Sequence, residues 1–471
     1  MNPRRFLRRC LLACTLVGAG FVAAAEPPVT PEMAQTARML MAKAQENNDA
    51  YRLVESLTTE VGPRLAGTRA EARARDWAVR ALKDLGFDWV GVESFDMPLW
   101  VRGVERAEIL SPYPQPLTVT TLGGSVSTGP DGVEGPVVRF GSLAELADQP
   151  AGSLAGAILF IDEAMARTRD GSGYGRAVGM RREAAYRGEE LGAVGVLIRS
   201  LGTSSHRFAH TGQMRRQGVE GPAGVPAAAL SVPDADQLNR ALARGEEVRV
   251  RMVLTPETHP PSLSGNVVAE LTGREVPEEI VLIGAHLDSW DLGTGAIDDG
   301  AGVGIVIAAA AQLIEHLPMR PRRTIRIVLF GAEEVGLLGA KAYSRRHAND
   351  VSKIEQHIVA TESDFGAGDI WRFDTGVGEG GRAAMLAIGD VLGELGIARG
   401  LNTARGGPDI TFLRQAGVPV VGLYQDGNDY FDVHHTPDDT LDKIAPDALD
   451  QNVAAYAAFM FLAAETPAYF R

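Results

Sequence analysis

A chain of 471 residues, 45% hydrophobic and 23% charged, has enough apolar side chain for one large core and a second, smaller one, and is not a disordered composition. Its formal charge of −14 repels phosphate backbones and argues against a nucleic-acid partner. Both cysteines, Cys10 and Cys14, stand within the first 25 residues, so no disulfide can staple the rest.

Residues 1–25 join a basic start (Arg4, Arg5, Arg8, Arg9) to an apolar stretch from Leu11 to Val22 and the small residues Ala23–Ala25. That is the layout of a signal peptide cleaved after Ala25, which predicts an exported protein, periplasmic or secreted. The apolar stretch is short for a membrane span. "LLAC", ending at Cys14, resembles a lipid-attachment box, but almost no apolar run precedes it, so a lipid anchor is the lesser reading. No later segment reads as a transmembrane span.

Residues 26–110 open the main domain. The pattern from Pro31 to Leu57 is helical, and "GPRLAGT" (62–68) is a turn. Thr68 and Glu71 form a capping box for a helix that carries Trp77, Ala81 and Leu85 on one face and stops at Gly86. Two proline clusters, "SPYPQP" (111–116) and "TPETHPPSLSG" (255–265), bracket an inserted, strand-rich domain at 111–260. Its strands are "GPVVRF", "GAILFID" and "AVGVLIR", with a Gly/Arg-rich segment around 169–191. His206 and His210 have no acidic partner nearby in sequence and read as loop histidines, the alternative being a role over the neighbouring domain's site.

From 261 to 471 short β-rich runs alternate with helical segments such as Val303–Leu317. The runs are "EIVLIGA" (279–285), "TIRIVLF" (324–330), "HIVATES" (357–363) and "VPVVGLY" (418–424). This predicts an α/β fold with a mixed, parallel-rich sheet flanked by helices. In such sheets chemistry collects at the carboxyl ends of the strands.

Those ends carry the polar residues. The first run delivers His286 and Asp288, followed by Asp298 and Asp299. The second ends at Glu333 and Glu334, the third at Asp364, and the fourth leads to His434, His435, Asp438 and Asp439. The acids of 286–302 lack the alternating spacing and terminal glutamate of an EF-hand. Imidazole plus carboxylate favours zinc, cobalt or manganese over calcium. Three carboxylates and a hydroxide balance two divalent ions and leave one glutamate free for proton transfer, which suits metal-assisted hydrolysis.

"HLDSWD", "AIDDGAG", "AEEVGLLGA", "ESD" and "HHTPDDT", in that order, resemble the co-catalytic zinc exopeptidases, a family of aminopeptidases and glutamate carboxypeptidases. The resemblance covers essentially everything after residue 25 and implies a protease-associated-like inserted domain. It implies two zinc ions per chain, one held by His286 and Asp364, the other by Glu334 and His435, with Asp298 bridging. His434 is the rival to His435, but the family's histidine is followed directly by Thr or Ser, then an acid and Thr, which selects "HTPDDT". The resemblance further implies Glu333 as general base and acid towards a hydroxide bridging the metals, and Asp288 as the carboxylate that fixes the His286 ring. Asp299 reads as structural, and Asp439 as an equal candidate for supporting His435. Arg405 or Asp409, in "ARGGPDITF" (404–412), could meet a peptide terminus, though an exposed loop is the plainer reading.

The function that follows is hydrolysis of dipeptides or short peptides, with the direction of trimming open and a homodimer suggested by related enzymes. Two alternatives share the fold: a glutaminyl-cyclase-like acyltransferase with a single zinc, and a non-catalytic binding protein. The complete ligand set and Glu333 favour the peptidase.

Overall fold

Four strands whose residues are apolar on both sides need cover on both faces, and their packing sets the architecture. The computed structural model describes residues 27–215 and 224–471; the signal-peptide reading of 1–25, with Cys10 and Cys14, lies outside them. Arg323–Phe330, Val276–His286, His357–Glu362 and Val420–Gln425 lie side by side in that order, all parallel. Val281, Ile283, Ala285, Ile325, Ile327 and Val359 enter one core, while Ile280, Leu282, Val328, Phe330 and Ala360 enter another on the opposite face. This is the period-two alternation of a sheet buried on both sides. Antiparallel strands Glu257–Leu271 and Trp89–Val101 extend one edge, and Ile370–Gly376 with Ala398–Arg399 the other.

The larger core packs under the helices Pro31–Glu46, Ala50–Glu60, Ala301–His316 and Asp450–Glu465. The stretch Ala296–His316 is in fact long and apolar enough to cross a membrane, against the expectation from sequence, but its most apolar part is 89% buried inside the protein. Gly302 lets this helix approach the strand ends: a Cβ there would meet the Ser363 carbonyl at 2.1 Å.

A second eight-stranded sheet, from Glu105 to Leu254, forms the inserted unit. Sheet membership changes between Val101 and Glu105 on entry, and between Leu254 and Glu257 on return. The expected edges at 111 and 260 therefore fall inside the strands Glu105–Ser111 and Glu257–Leu271. The prolines misled because Pro112 lies between the paired strands Glu105–Ser111 and Gln115–Leu117, and Pro260 and Pro261 sit at a register shift opposite an edge strand, where missing N–H groups are tolerated.

Three local readings also shift. The stretch 31–57 breaks at Asn47–Asp49 into two helices. The Gly/Arg-rich segment is the helix Ser172–Glu190, whose glycines lower its intrinsic propensity. In the helix Arg69–Asp84, Thr68 accepts from the Glu71 N–H at 3.3 Å as expected, but the buried face runs through Ala74, Trp77, Ala78 and Leu82, and Ala81 and Leu85 are only partly covered. The Glu71 carboxylate is drawn to Arg75 and Ser264 instead of completing the capping box.

Arg64, from the 62–68 turn, has no exposed surface. Its Nε donates to the Leu287 carbonyl at 2.5 Å, and its Nη atoms to those of Thr294 (2.6 Å) and Gly295 (2.9 Å). One guanidinium thus shapes the loop after His286. Arg64→Met leaves three carbonyls without a donor and should cost about 3 kcal/mol or more, read as a lower urea midpoint in the metal-depleted protein.

His357 is buried with Nδ1 on the Lys353 carbonyl (2.9 Å) and Nε2 beside the Tyr343 hydroxyl (3.0 Å). Burial lowers its pKa from 6.5 to about 4. The folded state refuses a proton that the unfolded chain accepts below pH 6.5, so this stability is complete above 6.5 and lost progressively down to about 4. The urea midpoint should fall less over that window in His357→Gln than in the parent chain.

Candidate metal centre

His286 is the last residue of its strand, and its N–H donates to Asp299 Oδ2 at 3.0 Å. Its Nδ1 lies 2.9 Å from the Asp288 carbonyl. A carbonyl only accepts, so Nδ1 carries the proton and Nε2 presents a lone pair. That lone pair faces Asp298 Oδ1 at 3.0 Å and Asp364 Oδ1 at 3.6 Å. His435 repeats the arrangement: Nδ1 is 3.1 Å from the Thr211 carbonyl, and Nε2 faces Glu334 Oε2 (3.0 Å) and Asp298 Oδ2 (3.2 Å). Acceptors aimed at acceptors at this range need a cation or a proton between them. Without a metal the facing carboxylates, against the effect of burial, raise the His435 pKa to about 9 and that of His286 well above 6.5.

The donor set suits a metal ion. Ligand atoms of His286, Asp298 and Asp364 lie within 4.8 Å of one another, as do those of Asp298, His434 and His435. Asp298 belongs to both groups. The rival His434 is therefore close, at 3.6 Å from Asp298 Oδ2, stacked on His435 at 3.5 Å between ring centroids. Glu334 faces His435, and that asymmetry favours His435 for the second site.

Two of the sequence assignments need correction. Asp288 does orient the His286 ring, but through its carbonyl; its carboxylate accepts the backbone N–H groups of Glu333 (3.0 Å) and Glu334 (3.3 Å). Asp439 does not support His435: its carboxylate takes the N–H groups of Ile297 (2.6 Å) and Asp298 (3.2 Å). Asp299 is structural as expected, accepting from His286 and Gly302. Among the described residues, the non-glycine residues at positive φ are Ala332, Leu337 and His435, all in the loops that carry these groups. Such backbone costs on the order of 1–3 kcal/mol per residue and persists where surrounding contacts fix it.

Glu333 is only partly buried and lines a cavity of about 290 Å³ with Asp298, Glu334, Asp364 and His435. Burial, with the nearby Glu334, Asp364 and Asp288, pushes its pKa well above the usual carboxylate value. The opposite wall comes from the inserted domain, with Tyr174, Arg181, Arg182, Gln213 and Arg215. None of these was singled out from sequence; the one available signal was the arginine-rich composition of 169–191. His210 is not a free loop residue, since its Nδ1 lies 2.7 Å from the His434 carbonyl across the domain boundary. His206 is exposed, 4.0 Å from Asp438.

Asp409 is 1% exposed and packs on Glu362, so it is not an exposed loop acid. Arg405 lines a neighbouring cavity of about 370 Å³ that shares Asp364, Phe365 and Pro408 with the first.

Residues 266–460, which carry every group named as a ligand, match the family model described as Peptidase family M28. The chain is 34% identical over 427 residues to carboxypeptidase Q of Homo sapiens, covering 90% of this chain and 86% of that protein. It is 50% identical to a peptidase M28 precursor from Shewanella amazonensis SB2B, with a TM-score of 0.90 over 93% of this chain and 98% of that one. A zinc aminopeptidase from Bacillus subtilis, 22% identical, shares the fold at a TM-score of 0.60 over 87% of this chain and 93% of that one. With a metal-ligand constellation on the rim of that fold and relatives matched across nearly their whole length, the chain belongs to Peptidase family M28 and is a metallopeptidase.

Proposed function

We propose that this chain is an exported dinuclear zinc exopeptidase acting on dipeptides or short peptides. The observation that carries the reading is the Asp298 carboxylate, one oxygen of which faces the lone-pair nitrogen of His286 and the other that of His435. His286 and Asp364 would hold one zinc and Glu334 and His435 the other, with Asp298 shared between the two groups. The signal-like residues 1–25 support export. A single-zinc cyclase on the same fold leaves half of this donor set without a purpose.

Zinc bound there supplies a Lewis acid for the scissile carbonyl and lowers the pKa of a water towards neutrality. The chain's own work is positioning and proton transfer. Asp288 pins the Glu333 and Glu334 N–H groups, so one glutamate faces His435 while its neighbour lines the cavity. Glu333 takes the proton of the attacking water and delivers it to the departing amine.

The purified mature chain should contain about two zinc ions, lose dipeptide hydrolysis on chelation and recover it with zinc. One metal and no peptide cleavage would move the assignment to the cyclase, and no metal to a binding protein. Glu333→Gln should keep the parent's zinc content while turnover drops on the order of a hundredfold or more. Near-normal turnover in that zinc-replete variant would remove Glu333 from the mechanism.

A further inference from the structure

The inserted domain joins the main domain through two short connections, 102–104 on entry and 255–256 on return. The two touch. The Val104 N–H donates to Thr255 Oγ1 at 2.8 Å, and the Thr255 N–H to the Val104 carbonyl at 3.0 Å. A Cβ on Gly103 would meet the Thr255 carbonyl oxygen at 1.9 Å. Crossings this short have the form of a hinge: they tether the inserted domain without fixing its tilt over the strand rim.

Arg102 lies in the first crossing, its side chain 9% exposed, and its guanidinium is shared between the domains. On the main-domain side Nε and Nη2 fork onto the Asp291 carboxylate at 2.9 and 2.8 Å, in the loop after His286. On the inserted side Nη1 donates to Glu105 Oε1 (2.7 Å), Thr120 Oγ1 and the Thr121 carbonyl (both 2.8 Å), and Nη2 to Thr211 Oγ1 (3.2 Å). The rings of Trp100 and Trp290 lie 5.5 and 6.0 Å from its central carbon. Trp290 continues the contact to His435, 5.8 Å between ring centroids. It fits beneath the inserted domain because Gly123 has no side chain; a Cβ there would lie 2.2 Å from the indole. Two other ion pairs cross the boundary, Arg167 with Asp432 and Arg169 with Asp426, but on partly exposed arginines, where such pairs contribute little. A buried, two-pronged pair is the stronger tie.

We infer that Arg102 is a positioning residue for the His435 half of the centre. Through Asp291 and Thr211 it sets the inserted domain in the pose that places the Thr211 carbonyl on His435 Nδ1. Loosening the fork lets that carbonyl leave the ring, and the imidazole loses both its orientation and its fixed tautomer. The His286 half keeps its own acceptor, the Asp288 carbonyl in the same loop, and is insulated from the change. The inference rests on the proposed pair of zinc sites and on no step of the hydrolysis.

The test is zinc affinity of the full chain, measured by competition with a chromophoric chelator. Asp291→Asn is isosteric, cuts the main-domain side of the fork and leaves Arg102 its contacts within the inserted domain. It should weaken one zinc site about tenfold, the low end of the range for groups that orient a ligand, and leave the other unchanged. In a His435→Ala background, which lacks the ring that Arg102 serves, Asp291→Asn should make no further difference; general loosening of the fold would weaken zinc in both backgrounds. Unchanged affinity in Asp291→Asn, or equal weakening with and without His435, overturns the inference. Because no substrate is involved, a chain that binds two zinc ions but cleaves no peptide fails the peptidase reading alone. If fewer than two zinc ions bind, the dinuclear reading fails, and amide exchange in the metal-free protein decides. The Thr211 N–H, held by the His435 carbonyl at 3.1 Å, should exchange about tenfold faster in Asp291→Asn, the effect of losing one charge-assisted hydrogen bond, while the His286 N–H, held by Asp299, keeps its protection. Equal exchange at Thr211 in parent and variant overturns the inference.

Discussion

Repulsion among buried carboxylates is the constraint on which the rest of this structure depends. Asp288, Asp298, Asp299, Glu334, Asp364 and Asp439 lie around one strand rim, each nearly or wholly withdrawn from water. A protein interior does not hold that many negative charges unless each is answered. The chain answers them in two ways. Asp288, Asp299 and Asp439 each accept backbone N–H groups, and in doing so fix the loops after three different strands. Asp298, Glu334 and Asp364 instead turn oxygens towards imidazole nitrogens that are themselves lone-pair donors. The first group builds the cage and the second defines what it holds.

Much of this was legible in the sequence because a parallel sheet converts order along the chain into proximity. His286, Glu334, Asp364 and His435 are far apart in sequence but follow strands that all point the same way, and so the rim gathers them. Apolar runs such as "TIRIVLF" gave these four strands to within one to three residues at each end, since near-continuous hydrophobicity has few other uses at that length. The roles behind the ligands were harder to read. Spacing placed Asp288 near His286, but it could not say whether the carbonyl or the carboxylate would reach the ring. Asp439 was close to His435 in sequence and bonded instead to the backbone of Asp298, a contact that only the turn geometry after His435 decides.

The inserted domain was the least legible part, and for a physical reason. Its contribution to the site comes from one face of the helix Ser172–Glu190, whose glycines and arginines blur the helical pattern, and from a loop carbonyl, which has no sequence signature at all. Proline clusters marked the region but not its edges, because edge strands and register shifts tolerate proline as readily as linkers do.

That loop carbonyl ties the two halves of the molecule together thermodynamically. Thr211 belongs to the inserted domain, yet its oxygen sets the tautomer and ring orientation of His435, while its N–H takes the His435 carbonyl at 3.1 Å. His210 bonds the carbonyl of His434, and Arg102 joins Asp291, in the loop after His286, at 2.8 Å. A proposed metal ligand on the main domain is therefore aimed by the neighbouring domain, and a hydrogen bond of that kind raises the basicity of the imidazole nitrogen it supports. Whatever stabilises the docked arrangement must then strengthen binding at the His435 side, and occupation of that side must in turn strengthen docking by the same amount. The His286 side has no such dependence, because its ring is set by Asp288 from within the same loop. The two histidines of the proposed centre thus answer to different parts of the chain, His286 to its own loop and His435 to the contact between domains.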